Sequence, residues 1–133
     1  MYTDVDVIFF KDIPWESMQP PQVISLGGEH ERGKIANSGV MIMNIAEVGR
    51  RLPSLLDLGD SRNWSFTACD QGLILEFFSN VSVLLPDSMN WKPYWGTSDE
   101  IVVLHHHGPK PGDVYMLLLK MPYVFNISYM IFI

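Results

Sequence analysis

The chain has 133 residues, 47% of them apolar and 18% charged, and a net charge of −6. That is a folded rather than a disordered composition, long enough for one domain with a real core and too short for more. Lys and Arg are scattered and adjacent only at Arg50-Arg51, which with the acidic balance argues against a nucleic-acid binder.

Cys69 is the single cysteine, so an internal disulfide and a cysteine-based zinc site are both excluded. Met1 is followed at once by Tyr-Thr-Asp-Val-Asp, with no charged leader and apolar h-region to mark a signal peptide. Asn63-Trp64-Ser65, Asn80-Val81-Ser82 and Asn126-Ile127-Ser128 match the N-glycosylation pattern and lean towards a secretory or Golgi-lumen location over a cytoplasmic one.

Tyr2 to Phe10 reads as a buried strand that ends or turns at its aspartates. Lys11-Asp12-Ile13-Pro14 breaks it. Trp15 to Lys34 has little period, and Pro20-Pro21, Gly27-Gly28 and Gly33 make it loop or short turns. Ile35 to Ile45 is nearly continuously apolar, as in a strand covered on both faces. Ala46 to Leu58 spaces Val48, Leu52, Leu55 and Leu56 as a helix does, with Asn44 as its cap, Pro53 splitting or kinking it and Gly59 closing it. Asp60 to Thr67 is a polar loop. Asp70 to Phe78 is a second helix, with Cys69 or Asp70 near its N-cap. Val81 to Leu85 is a short strand, Pro86 to Ser98 an aromatic-rich loop, and Ile101 to Leu104 a last strand running into three histidines. Tyr115 to Ile133 is an apolar tail, interrupted by Lys120, Pro122, Asn126 and Ser128; it falls short of the roughly 20 apolar residues of a spanning helix, and its status is open. Strands alternating with helices and long loops point to an α/β sheet with much of its chemistry on the connections.

Chemistry-bearing residues gather at a few places. Asp4 and Asp6 sit one residue apart, so in an extended chain they face one side. Two like charges in an apolar segment are costly unless a cation lies between them, and a hard divalent ion would remove that cost. On the triplet alone, the plainer reading is a solvated turn at a strand end. His105 and His107 share a side by the same alternation, while His106 faces away. Gly108-Pro109-Lys110-Pro111 is a rigid turn presenting one ammonium, suited to phosphate. Surface histidines and a solvated lysine are the plainer reading there. Asn37-Ser38 opens a strand and Asp70-Gln71 opens a helix. Such pairs often only cap, but they are also groups that grip sugar hydroxyls.

Taken in order, YTDVDVIF, NSGVMIMN, DQGLILEFF, LPDSMNW and VLHHHGPKP resemble the glycogenin-like retaining glycosyltransferases of family 8. The resemblance implies the α/β A-type nucleotide-diphospho-sugar transferase fold, a mixed sheet with flanking helices, over residues 1–114, as an N-terminally truncated catalytic domain, because in the family a half-domain for the nucleotide base precedes the Asp-x-Asp strand. It implies a hexosyltransferase drawing on a nucleotide-sugar donor, a UDP-sugar, with a saccharide or protein acceptor. Asp4, Asp6 and His105 match the family's metal ligands for Mn2+ or Mg2+. Gly108 and Lys110 match the turn on the diphosphate, Asn37 and Ser38 the segment beside the donor sugar, and Asp70 and Gln71 the pair nearest the reacting carbon. The chain departs from the family pattern at His106, where an aromatic is usual, and at Gly112, where a tryptophan is usual. Two other readings stand beside this one: a non-catalytic sugar- or partner-binding remnant of such a domain, and a metal-dependent hydrolase built on Asp4, Asp6, His105 and His107. The second is short of ligands, since only His30 adds to the histidine run.

Overall fold

Eight consecutive residues, Ala36–Met43, form the strand on which the rest is assembled. In chain order the strands are β1 (Tyr2–Thr3), β2 (Val7–Phe9), β3 (Ile24–Gly28), β4 (Ala36–Met43), β5 (Ser82–Leu84) and β6 (Val103–His105); the helices are α1 (Ile45–Ser61) and α2 (Asp70–Phe78). The computed structural model describes residues 1–29 and 36–107. Gly108, Lys110 and the 115–133 tail lie outside the described residues.

The architecture is a small mixed α/β domain. One sheet has the order β1-β4-β3-β5, with β4 antiparallel to both neighbours and β5 parallel to β3. A second sheet is the antiparallel pair β2-β6. Side chains alternate across a strand, and β4 uses both faces. Val40 and Ile42 enter one core with Leu85, Met89, Val102 and Val103. Met41 enters the other with Val23, Ile24, Leu26 and Phe78, and there Val48 and Leu55 of α1 and Ile74 and Leu75 of α2 close over the sheet. This double burial is why β4 is apolar without alternation. Among the described residues no helix is long and apolar enough to cross a membrane.

Five expectations need correction in whole or in part. Tyr2 to Phe10 turns at its aspartates as expected, at Val5 and Asp6, where it passes from the first sheet to the second, but it is not buried: Tyr2, Phe9 and Phe10 are exposed. The stretch expected to be loop contains β3, buried at all five positions between β4 and β5. Its glycines hid it, because glycine weakens a strand signal. Pro53 does not split α1, and Gly59 does not close it. Packing of Val48 and Leu55 on the sheet outweighs the proline's local cost of about 3 kcal/mol. Gly59 is buried where Trp64 crosses the helix; an added Cβ would come 2.8 Å from the indole. β6 is shifted along the chain, starting at Val103 instead of Ile101 and ending at His105 instead of Leu104.

Other expectations hold. Asn44 caps α1, its side chain accepting from the Glu47 N–H at 3.3 Å. α2 spans Asp70–Phe78 as its pattern predicts. Cys69 stands at its N-cap, but with φ 55° and ψ −126° and no side-chain cap hydrogen bond. That backbone conformation favours glycine and costs a side-chain-bearing residue on the order of 1–3 kcal/mol. Cys69→Gly is therefore expected to stabilise the protein by about 1 kcal/mol, after the entropy glycine adds to the unfolded chain. Urea unfolding measures it, and a lower midpoint would show that the strain is not borne there.

Candidate metal centre and its polar neighbours

The acidic pair lies where the chain crosses between sheets. Thr3 pairs with Val40 in the first sheet, and the Asp4 N–H extends that ladder to the Gly39 carbonyl at 2.8 Å. Val7 pairs with His105 in the second, and the His106 N–H donates to the Asp6 carbonyl at 2.9 Å. Val5 between them points fully into solvent. Asp4 and Asp6 thus share a side through a turn, not through strand alternation.

Both carboxylates meet His105. Its Nε2 lies 3.7 Å from Asp4 Oδ2 and 3.5 Å from Asp6 Oδ1. One ligand atom from each of the three lies within 4.8 Å of the others. Octahedral coordination at about 2.1 Å spaces adjacent ligand atoms roughly 3 Å apart, so a small contraction would bring these onto one divalent cation. Two carboxylates and an imidazole suit Mg2+ or Mn2+ chemically but do not select between them. The His105 ring is 1% exposed, whereas Asp4 and Asp6 open onto a cleft of about 790 Å3 lined also by Tyr2, Thr3, Val5 and His107. The Tyr2 hydroxyl donates to Asp4 Oδ1 at 3.0 Å; this hydrogen bond first, and then the carboxylate's charge, raise the phenol above its ordinary pKa.

A second polar group adjoins the first. Asn37 Nδ2 donates to Gln71 Oε1 at 2.8 Å, and the Ser38 N–H reaches the same oxygen at 3.3 Å. The expected sugar-facing pieces Asn37, Ser38 and Gln71 therefore do come together. Their hub is a residue that sequence reasoning missed. Glu29, buried, accepts from Asn37 Nδ2 at 3.4 Å and Gln71 Nε2 at 3.3 Å, and His107 Nδ1 stands 3.4 Å from its other oxygen. Glu29 lay in a glycine-rich stretch with no period, so no local signal could have singled it out. Asp70 is exposed at the start of α2, where its charge adds to the shift of Tyr2, and it is not part of the Glu29 hydrogen bonds.

The two groups touch through His107, whose ring centroid lies 5.5 Å from that of His105, and through Gly39. The Gly39 N–H donates to Asn37 Oδ1 at 2.8 Å, and a Cβ on Gly39 would come 2.1 Å from the His105 ring. His105 and His107 share a side as expected. His106 points into the interior, where burial lowers its pKa and its Nδ1 has no hydrogen-bond partner.

Behind His105 run Asn90, Trp91 and Lys92. Trp91 is held beside β6 by backbone hydrogen bonds from its N–H to Val103 and from the His105 N–H to its carbonyl. That pairing sets Asn90 and Lys92 against the far nitrogen of the His105 ring. Burial lowers the Lys92 ammonium from the ordinary 10.5 to about 8, against the opposing pull of Glu29, Asp6 and Asp4. Neither Asn90 nor Lys92 stood out in the sequence. No family model, curated protein or solved structure matches the chain.

Proposed function

We propose that this chain is the metal-binding part of a retaining glycosyltransferase of the glycogenin-like kind, with the A-type nucleotide-diphospho-sugar transferase fold, moving a hexose from a UDP-sugar to a saccharide or protein acceptor. The observation that carries this reading is the convergence of Asp4, Asp6 and His105, from opposite ends of the described chain, on one point at the rim of an open cleft. Loss of a nucleoside diphosphate builds negative charge on its phosphates, and a divalent cation supplies Lewis-acid stabilisation of that charge. Asp4, Asp6 and His105 would hold the cation with positions left for phosphate oxygens. Asn37, Gln71 and Glu29 bring amide donors and a carboxylate acceptor to adjacent points, a pairing that suits vicinal sugar hydroxyls. Their mutual hydrogen bonds preorganise them for a bound sugar. Gly108 and Lys110, by resemblance, would meet the diphosphate. A secretory-lumen location belongs to the same proposal and rests on the glycosylation patterns alone.

Slow hydrolysis of a UDP-hexose by the full chain, dependent on Mn2+ and lost in Asp6→Ala, is the expected result, read as released UDP. Binding of the UDP-hexose without hydrolysis would favour the non-catalytic remnant. Neither binding nor hydrolysis at millimolar donor would end the transferase reading.

A further inference from the structure

Lys92 is 0% exposed, and its ammonium is placed against a ring nitrogen. Lys92 Nζ lies 2.9 Å from His105 Nδ1 and 3.3 Å from Asn90 Oδ1. Asn90 Oδ1 is itself 2.9 Å from the same Nδ1. The orientation of the Asn90 amide is fixed from its other side: its Nδ2 donates to the Gly28 carbonyl at 2.6 Å, so the atom turned to His105 is the oxygen.

Nδ1 therefore has a donor and an acceptor beside it, at equal distance. An ammonium has three donors and no acceptor, and a carbonyl oxygen only accepts. A neutral imidazole can satisfy one of them at a time. With Nδ1 bare, Lys92 donates to it and the proton sits on Nε2, aimed at Asp6 and Asp4. With Nδ1 protonated, it donates to Asn90 and the bare Nε2 can ligate a cation. A histidine ligand takes its tautomer from the hydrogen bond its other nitrogen makes.

We propose that Lys92 and Asn90 form a tautomer switch behind the candidate metal centre: Lys92 holds His105 as the Nε2–H form, Asn90 stabilises the Nδ1–H form that binds a cation, and their competition sets how tightly the centre holds it. This rests on the metal-site reading above. The exchange leaves the ring neutral. One proton leaves Nε2 past the Asp6 carboxylate and one is taken up at Nδ1, so the charge balances. Lys92 keeps its three protons and its hydrogen bond to Asn90 Oδ1 at 3.3 Å, and the two lone pairs of that oxygen serve both donors. Lys92 and Asn90 are positioning residues, since neither reaches the face of the ring turned to the cleft.

The test is nitrogen-15 NMR of the histidine rings in the full chain without divalent cations, with the His105 signals assigned by their loss in His105→Gln. The expected form is Nε2–H in the wild type and Nδ1–H in Lys92→Met. Diamagnetic Mg2+ is expected to move the wild type to Nδ1–H. Electron paramagnetic titration with Mn2+ is expected to show Lys92→Met binding roughly tenfold tighter than wild type and Asn90→Leu about 10–100-fold weaker, the range for partners behind a ligand. A wild type already in the Nδ1–H form overturns the switch, and this measurement stands even where a variant fails to fold. Wild-type cation binding that Lys92→Met leaves unchanged overturns the switch alone. Absence of any wild-type binding of Mg2+ or Mn2+ removes the metal reading and the switch with it.

Discussion

Mn2+ at a hundredfold excess over its Kd is expected to raise the Tm of this chain by about 10 °C, and Asp4→Ala or Asp6→Ala is expected to abolish the rise. A ligand that binds only the folded state at that excess stabilises it by about 2.7 kcal/mol. The entropy of unfolding for a chain of this size converts that to about 10 °C. The folded state alone can supply the site, because Asp4, Asp6 and His105 are brought together by two different sheets. Each carboxylate also carries a cost when no cation offsets it, since the two repel each other. Asp4→Ala and Asp6→Ala can therefore melt higher than wild type in the absence of cation. The discriminating quantity is the change on adding Mn2+, not the Tm itself. A thermal shift assay with and without Mn2+ reads it, and a wild type that does not respond removes the metal centre from this protein.

Gly39→Ala is expected to destabilise the fold by about 3 kcal/mol and to abolish the Mn2+ response together with it. The added Cβ would stand 2.1 Å from His105 Cε1, 2.8 Å from His105 Nδ1 and 2.9 Å from Asn37 Oδ1. The ring cannot give way easily, because Lys92 and Asn90 hold its far side and the backbone of β6 is paired on both edges. Overpacking a buried site costs roughly 1–3 kcal/mol. Displacing the ring also breaks its 2.9 Å contact with a fully buried ammonium, which leaves that charge only the longer bond to Asn90 Oδ1 and adds to the cost. Urea unfolding measures the loss. A variant as stable as wild type, with an intact response to Mn2+, would mean that His105 is not seated against β4 as described.

The candidate site was only partly legible. The types and approximate places of the candidate metal ligands could be read because an acidic pair inside an apolar segment and a histidine run at a strand end are local anomalies. Asn37 and Gln71 could be named for a similar reason, as polar groups at the open ends of buried elements. Glu29 could not, although it bridges to Gln71 across 42 positions, and neither could Asn90, whose amide is fixed by Gly28 across 62. Each is one ordinary polar residue in an irregular stretch. Its role comes from what lies opposite in space, and periodicity over near neighbours carries no record of that.

By itself the sequence determined what depends on near neighbours. The apolar run of β4 demanded cover on both faces, Asn44 and the spacing of Val48 and Leu55 demanded a capped helix, and alternation put His105 and His107 on one side with His106 on the other. Tertiary structure decided the rest. It drew β3 out of a glycine-rich stretch by pairing it on both edges, and carried α1 through Pro53 by packing it on the sheet. It also turned the chain between Asp4 and Asp6 so that two sheets deliver them to one imidazole. The physical reason is the same in each case: hydrogen-bond pairing and burial between distant segments are worth more than the local preferences they override.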